Sequence, residues 1–440
     1  MRNGGWARCG LWGALVLAPA AGQSLVDPNL RVDPVVSGLP ALTTLAFIGD
    51  DDFLLLQKDD GRVRRIRNGV LLPAPVLDLA VDRFGERGLL GIATGPDFPH
   101  DGAVYLYYTA SSTGADTAGE ADPVTNRIER YSWDGAALVA PRPLLTLPAV
   151  GSSHHGGILV FGRDDRLFAV IGDQFRQGQL QNYPGGAAPD DTGVIFRLDT
   201  HGAAAPGHPL AALRRYYAYG VRNSFGLAVD PLSGTLWQSE NGPDRNDELN
   251  RVPPGFNGGW AQILGPDADD PHGVGELWMT SGASYVDPQF TWRGTIVPTG
   301  LAFVRGRRLG CALEHRLVAA SAACGRLYAF ALDPARQALA FSSPELSDHV
   351  ADNAGDSCLG EQDEILFGSG FGPITDVKSG PDGRLYVVVL SGAVYRIGPA
   401  ANLPADADGD GVADACDCAA SDPGAAAPPA EIPTLRPSVA

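Results

Sequence analysis

Residues 374–397 read ITDVKSGPDGRLYVVVLSGAVYRI: three short apolar runs parted by a Gly-Pro-Asp-Gly turn and a Ser-Gly turn. Runs of this length, rich in Val, Ile and Tyr and bounded by turn formers, read as consecutive antiparallel strands. The same order recurs upstream. A first strand ending in a Gly/Asp turn stands at TTLAFIGD (43–50), GLLGIATGPD (88–97), GGILVFGRD (156–164), FGLAVDP (225–231) and TGLAFVRG (299–306). Second strands follow at FLLLQ, VYLYYT, LFAVIGD, LWQSE and RLVAAS, and third strands at GRVRRI, NRIERY, GVIFRL, ELNRV and GRLYAF. With the final copy, LYVVVL and GAVYRI, the unit occurs six times. A three-strand unit cannot bury both faces alone, whereas radial repetition packs each sheet on its neighbours and leaves only short edges. The pattern therefore predicts an all-β, six-bladed β-propeller over residues 30–400, with inserted loops at 110–125, 174–192 and 253–297.

Composition agrees. The 440 residues include 56 Gly and 35 Pro, too many turn formers for a helical bundle, and 44% hydrophobic residues, enough for a core. The formal charge of −18 argues against nucleic acid or an anionic membrane as partner. Residues 1–22 have the form of a signal peptide: Arg2 and Arg8, an apolar run from Leu11 to Ala18, then Ala20-Ala21-Gly22. The expected location is secreted or periplasmic, without a membrane anchor. Export would remove Cys9 and leave Cys311, Cys324, Cys358, Cys416 and Cys418; an oxidising compartment allows Cys311–Cys324 to pair, or Cys416 and Cys418 to reach Cys358.

If the first strand of each unit is innermost, the residues before it and those after the antiparallel second strand meet at one mouth of the central channel. Polar residues gather there. Glu86-Arg87, His154-His155, Arg222-Asn223 and Thr295 precede innermost strands; Asp173 and Glu240-Asn241-Gly242-Pro243, running on to Asp247-Glu248, follow second strands. Taken singly, either histidine could cap a strand, Arg222 could bridge to Asp173 or Glu248, and Gly242-Pro243 could be only a turn.

The stretches RGLLGIATGPDF, HHGGILVFGRDDRLFAVIGD, YAYGVRNSFGLAVDPLSGTLWQSENGPDRNDELNRV, FNGGW and TGLAF resemble the soluble PQQ-dependent sugar dehydrogenases, the glucose/sorbosone (aldose) dehydrogenase family of propellers. The resemblance spans most of residues 35–398. It implies oxidation of a sugar C1 hydroxyl by hydride transfer to pyrroloquinoline quinone (PQQ). His154 would be the general base, oriented by Asp173, and Arg222 would stabilise charge on the reduced quinone. Glu86, Asn223 and Thr295 would contact the cofactor, and the carbonyls of Gly242 and Pro243 would hold Ca²⁺. Three positions depart from the family pattern. Ala323 or Cys324 stands where the resemblance places a lysine, and Pro373 and Thr375 where it places arginines. Arg176, Arg293, Arg305 and Arg307 are candidate substitutes. The alternatives are a non-catalytic propeller that binds a glycan or protein, and a Ca²⁺-dependent lactonase-type hydrolase.

Beyond the propeller, DADGDGVADACD (406–417) places Asp406, Asp408, Asp410, Asp414 and Asp417 at positions 1, 3, 5, 9 and 12 of a calcium loop, with Gly411 at the turn. With Asp at position 12, it resembles a thrombospondin type 3 repeat, assigned to 404–423. Residues 424–440, rich in Ala and Pro, read as a disordered tail.

Overall fold

In the computed structural model, residues 22–119, 124–213, 215–352, 358 and 360–400 are described. The signal-peptide segment up to residue 21, the calcium-loop aspartates 406–417 and the tail lie outside them. The strands gather into six sheets. Every sheet begins with one of the recurrent first strands: Leu42–Gly49, Leu89–Thr94, Leu159–Phe161, Gly226–Val229, Pro298–Phe303 and Ile374–Ser379. Each of these lies against the next, and Ile374–Ser379 lies against Leu42–Gly49, so they line a central axis. The architecture is an all-β propeller.

Second strands such as Asp52–Gln57 and Ala103–Ala110 are buried at every position, because they sit inside the sheet with a neighbouring sheet on either face. The core is accordingly divided into clusters between adjacent sheets. One joins Ala103, Tyr105 and Tyr107 to Leu159, Leu167 and Phe196; another closes the circle by joining Leu42, Phe53 and Ile66 to Tyr386 and Val394. Strand pairing closes the circle as well: the early strand Leu30–Val36 is the outer strand of the last sheet, paired antiparallel with Ala393–Pro399.

The structure differs from the sequence expectation in three ways. Most sheets carry a fourth strand that the repeat did not show, such as Leu138–Leu147, Tyr216–Tyr219 and Phe290–Trp292. The segment 253–297 is not simply an inserted loop. Its strands Phe256–Asn257 and Ser284–Tyr285 extend the third sheet by parallel pairing, and Phe290–Trp292 joins the fourth. The cysteine pairing also differs: Cys324 is bonded to Cys358, with Cα atoms 5.4 Å apart, and not to Cys311. Cys324 sits in the turn between Leu317–Ser321 and Arg326–Leu332. The bond leaves Cys358 no thiol for Cys416 or Cys418.

Innermost strands meet at glycines. A methyl group on Gly91 would overlap the carbonyl oxygen of Gly157 in the next sheet, one on Gly226 would overlap that of Thr299, and one on Gly300 would strike Asp376. Gly226 has no positive φ to explain it, so close approach of two backbones is its reason for being glycine. We therefore expect Gly226→Ala to destabilise the protein by about 1–3 kcal/mol, the usual range for overpacking a closed interior. Denaturant unfolding checks this, and a loss below about 0.5 kcal/mol would contradict tight contact here.

Candidate active site

The loop before the third innermost strand and the turn after its second strand carry His154 and Asp173. His154 Nδ1 lies 2.5 Å from Asp173 Oδ1, and both side chains are buried. A carboxylate at Nδ1 holds the proton there, leaving Nε2 as the acceptor nitrogen. The other Asp173 oxygen accepts the Trp260 indole N–H at 2.7 Å. The His154 amide donates to Glu86 at 2.6 Å. Backbone strain collects at this spot: His154, Gln174 and Phe175 have φ of 65°, 48° and 60°. Left-handed conformations in side-chain-bearing residues cost energy and cluster at functional sites.

The adjacent His155 is a different kind of residue. It is fully buried, its Nδ1 is 3.1 Å from the Asn126 amide nitrogen, and its Nε2 faces the Gly151 carbonyl at 3.3 Å. Burial, aided by Arg87, pushes its pKa down to about 3, so it is a neutral structural ring. Arg87 is equally structural, bonded to the buried Asp82 at 3.0 Å.

The fourth sheet supplies the opposite wall. Glu240, at the end of Leu236–Glu240, accepts the Asn223 amide at 2.6 Å and the Arg222 amide at 3.2 Å, so it fixes the turn that presents both side chains. The Arg222 guanidinium donates to the carbonyls of Asn241 (2.7 Å) and Gly242 (3.1 Å). It does not bridge to Asp173 or Glu248. It also lies 5.2 Å from the centre of the Trp260 ring. Asn223 Nδ2 faces the Glu86 carboxylate at 3.4 Å. Asp247 accepts the Gly242 amide at 2.8 Å with one oxygen and those of Ile296 (2.6 Å) and Val297 (2.8 Å) with the other. Asp247 thereby ties the Gly242-Pro243 loop to the segment bearing Thr295. Glu248 accepts the amide of Gly265 and the side chain of Asn250, beneath the loop.

A continuous chain of contacts thus runs Asp173, His154, Glu86, Asn223, Glu240, Arg222, Trp260 and back to Asp173. The scattered residues share one mouth. Trp260 was visible in the sequence only as the end of FNGGW, with no role attached. Glu240 has no sequence signal for its support of the 222–223 turn.

Two buried atoms at this mouth, Arg222 Nε and Asn223 Oδ1, have no protein hydrogen-bond partner. Such orphans, beside a carbonyl-lined loop and a cluster of buried carboxylates, suit a polar ligand and a hard cation, so the residues present fit a quinone held next to Ca²⁺. The carboxylate-binding cations are another matter. Ala323 and Pro373 bring no charge, Cys324 is disulfide-bonded, and the Thr375 hydroxyl donates to the Val388 carbonyl. Arg176, Arg293 and Arg307 are paired with Asp190, Asp269 and Glu314. Arg305 and Arg307 follow the far end of Pro298–Phe303, away from the mouth. Lys58, near Glu86 through the Gly85 carbonyl at 2.9 Å, is likewise paired, with Asp59 at 2.9 Å.

Fold and site together define an all-β propeller with a carboxylate-held histidine, an arginine and a carbonyl-rich loop at one mouth. The glucose/sorbosone dehydrogenase family model matches residues 40–396, and the chain belongs to that family. It is 27% identical over 368 residues to the aldose sugar dehydrogenase YliI of Escherichia coli, covering 81% of this chain and 89% of that one. It is 27% identical over 292 residues to quinoprotein glucose dehydrogenase B of Acinetobacter calcoaceticus, covering 62% of this chain and 60% of that one. Among solved structures, an oxidoreductase (glucose dehydrogenase) of Thermus thermophilus matches with a TM-score of 0.64 at 30% identity, over 84% of this chain and 99% of that one. The PQQ-bound form of the aldose sugar dehydrogenase of Streptomyces coelicolor matches with a TM-score of 0.61 at 26% identity, over 87% and 99%.

The buried carboxylates make stability pH-dependent. Burial pushes Glu240 up to about 8, Glu248 to about 7 and Asp247 to about 6, against the lowering effect of the amides they accept. Burial likewise raises Glu86, opposed by His154 and Arg222. A carboxyl whose pKa is higher folded than unfolded helps folding while protonated. For Glu248 that contribution is whole below about 4.5 and is lost as pH rises through about 7. Glu248→Gln is neutral at every pH, so its melting temperature in chelator should fall less than that of the parent between pH 5 and 8. Parallel melting curves over that range would show that Glu248 is ionised throughout.

Proposed function

We propose that the protein is a quinone-dependent aldose dehydrogenase that oxidises a sugar C1 hydroxyl, with the six sheets acting as the six blades that frame its site. The observation that carries this reading is the His154–Asp173 pair at 2.5 Å, set beside Arg222 and Asn223 at the channel mouth. His154 Nε2 takes the hydroxyl proton; Asp173 keeps the other proton on Nδ1 and favours the cationic ring that results. The hydride leaves C1 as the carbonyl of the lactone forms. PQQ, when bound, supplies the electrophilic carbon that accepts the hydride. Arg222 would hold positive charge where the acceptor becomes negative, beside Asn223 and Glu86, and Thr295 would add a further cofactor contact. The carbonyls of Gly242 and Pro243 would hold Ca²⁺, with buried Asp247 and Glu248 adding negative charge below.

The Cys324–Cys358 bond supports an exported protein, since such bonds persist in oxidising compartments. Among the described residues no helix is long and apolar enough to cross a membrane. For the segment 406–417 we propose a calcium loop with Asp406, Asp408, Asp410, Asp414 and Asp417 as ligands. A second reading, a propeller that binds a glycan through the same mouth without turnover, is favoured by one observation: Ala323, Cys324, Pro373 and Thr375 leave the cofactor's carboxylates without the family's cations.

Reconstitution tests the choice. Protein given PQQ and Ca²⁺ should reduce a dye when supplied with aldoses. His154→Ala should lower kcat by roughly 10²–10⁴-fold, the usual contribution of a positioned base. Quinone affinity should be weak, because each missing charged hydrogen bond forfeits about 1.5–3 kcal/mol. Aldose binding without any dye reduction would support the second reading, and lactone hydrolysis by the same preparation would support a hydrolase instead.

A further inference from the structure

Phe175 has a combination of properties that folding alone does not explain. It is the most exposed of the large hydrophobic side chains among the described residues, at 62%, and it adopts a left-handed backbone with φ of 60°. Glycine would take that conformation without strain, and a bulky aromatic there is an outlier. The ring is nevertheless held firmly. Its centroid is 4.4 Å from that of His154, with the planes tilted by 34°. Its amide donates to Asp173 at 3.1 Å. The buried Gln174 before it reaches across to the 148–150 loop, accepting the Val150 amide at 2.8 Å and donating to the Pro148 carbonyl at 2.9 Å. Val150, also exposed, extends the apolar surface. A rigid aromatic lip therefore stands over one side of the base, while the polar chain Glu86, Asn223 and Arg222 continues from the other.

We propose that Phe175 is the specificity wall of the sugar site, against which a neutral aldopyranose packs the C–H face of its ring while its C1 hydroxyl meets His154. Apolar walls with a few convergent polar groups are the usual construction of small-ligand sites, and an aromatic face suits the C–H surface of a pyranose. This rests on the sugar-oxidation reading above and adds to it the residue that orients the ring. It also gives the backbone strain a use, since the left-handed turn brings the Phe175 ring against His154.

The test compares Phe175→Gly, Phe175→Ala and Phe175→Tyr in the full-length protein, with two readouts. In saturation-transfer NMR with D-glucose as probe, the ring C–H protons should receive saturation from the parent and from Phe175→Tyr, and lose most of it in the Gly and Ala variants. In the PQQ- and Ca²⁺-loaded protein, KM for glucose should rise about tenfold in Phe175→Gly with kcat nearly kept, a size typical of one aromatic contact. The melting temperature of Phe175→Gly should not fall, because glycine relieves the left-handed strain; a residue serving only the fold would lose stability instead. Unchanged saturation and KM in Phe175→Gly would overturn the proposal, as would a parent that transfers no saturation to glucose. Saturation of glucose that disappears in Phe175→Gly, together with no turnover by the loaded parent, would retain the wall and remove the dehydrogenase reading.

Discussion

The close approach of the innermost strands is the constraint on which the molecule depends. Where Gly91 faces Gly157, Gly226 faces Thr299 and Gly300 faces Asp376, backbones of successive sheets meet with no room for a methyl group. The wedge-shaped clusters between sheets then widen outward, filled by aromatic and branched side chains such as Tyr105, Phe196, Trp237 and Trp292. A circle assembled in this way is stiff, because moving one sheet would open gaps against both of its neighbours. Its ends therefore hold loops from distant parts of the chain at fixed positions. Residues 86, 154, 173, 222 and 242 come together for this reason, and not because any local segment brings them near one another.

At the mouth, buried carboxylates do the fastening. Glu240 gathers the amides of Arg222, Asn223 and Asn241, Asp247 gathers those of Gly242, Ile296 and Val297, and Glu86 takes that of His154. Backbone N–H groups in irregular loops have no sheet partners, and an acidic side chain with two oxygens can satisfy several at once. Desolvation opposes the charge, which is why these groups are raised rather than lowered. The same carboxylates stand beside the Gly242 carbonyl, so the residues that fix the loop geometry would also favour the Ca²⁺ proposed there.

The innermost three strands of each sheet were legible in the sequence because their signal is local: an apolar run, a Gly/Asp turn, another apolar run. Outer strands were not: Leu30–Val36 pairs with Ala393–Pro399 from the opposite end of the chain, and Leu138–Leu147, though a local hairpin partner, carries two prolines and is mostly exposed. The cysteine sequence likewise allowed Cys311–Cys324 without fixing it, while the fold bonds Cys324 to Cys358. At the site, residue types before and after strands sufficed to collect the polar residues. They could not separate His154 from His155, whose chemistry differs only through burial and the partner at each ring nitrogen. Nor could they show that Arg293 and Arg307 already have acidic partners, since Asp269 and Glu314 lie in loops without a pattern.

Asp173 shows why strain and chemistry share one place. It binds the His154 ring, the Trp260 indole and, within its own turn, the amide of Phe175, so two distant segments and the local turn meet at a single carboxylate. Two of the left-handed residues, His154 and Phe175, are direct partners of that carboxylate, and Gln174 lies between. Unfavourable backbone angles persist only when several contacts over-determine them, and Asp173 is where those contacts meet. The carboxylate that sets the tautomer of the histidine is thus also the one that sustains the conformation projecting Phe175 over it. The proposed base and the proposed apolar lip share this anchor, so changes to Asp173 should disturb the His154 ring and the Phe175 turn together.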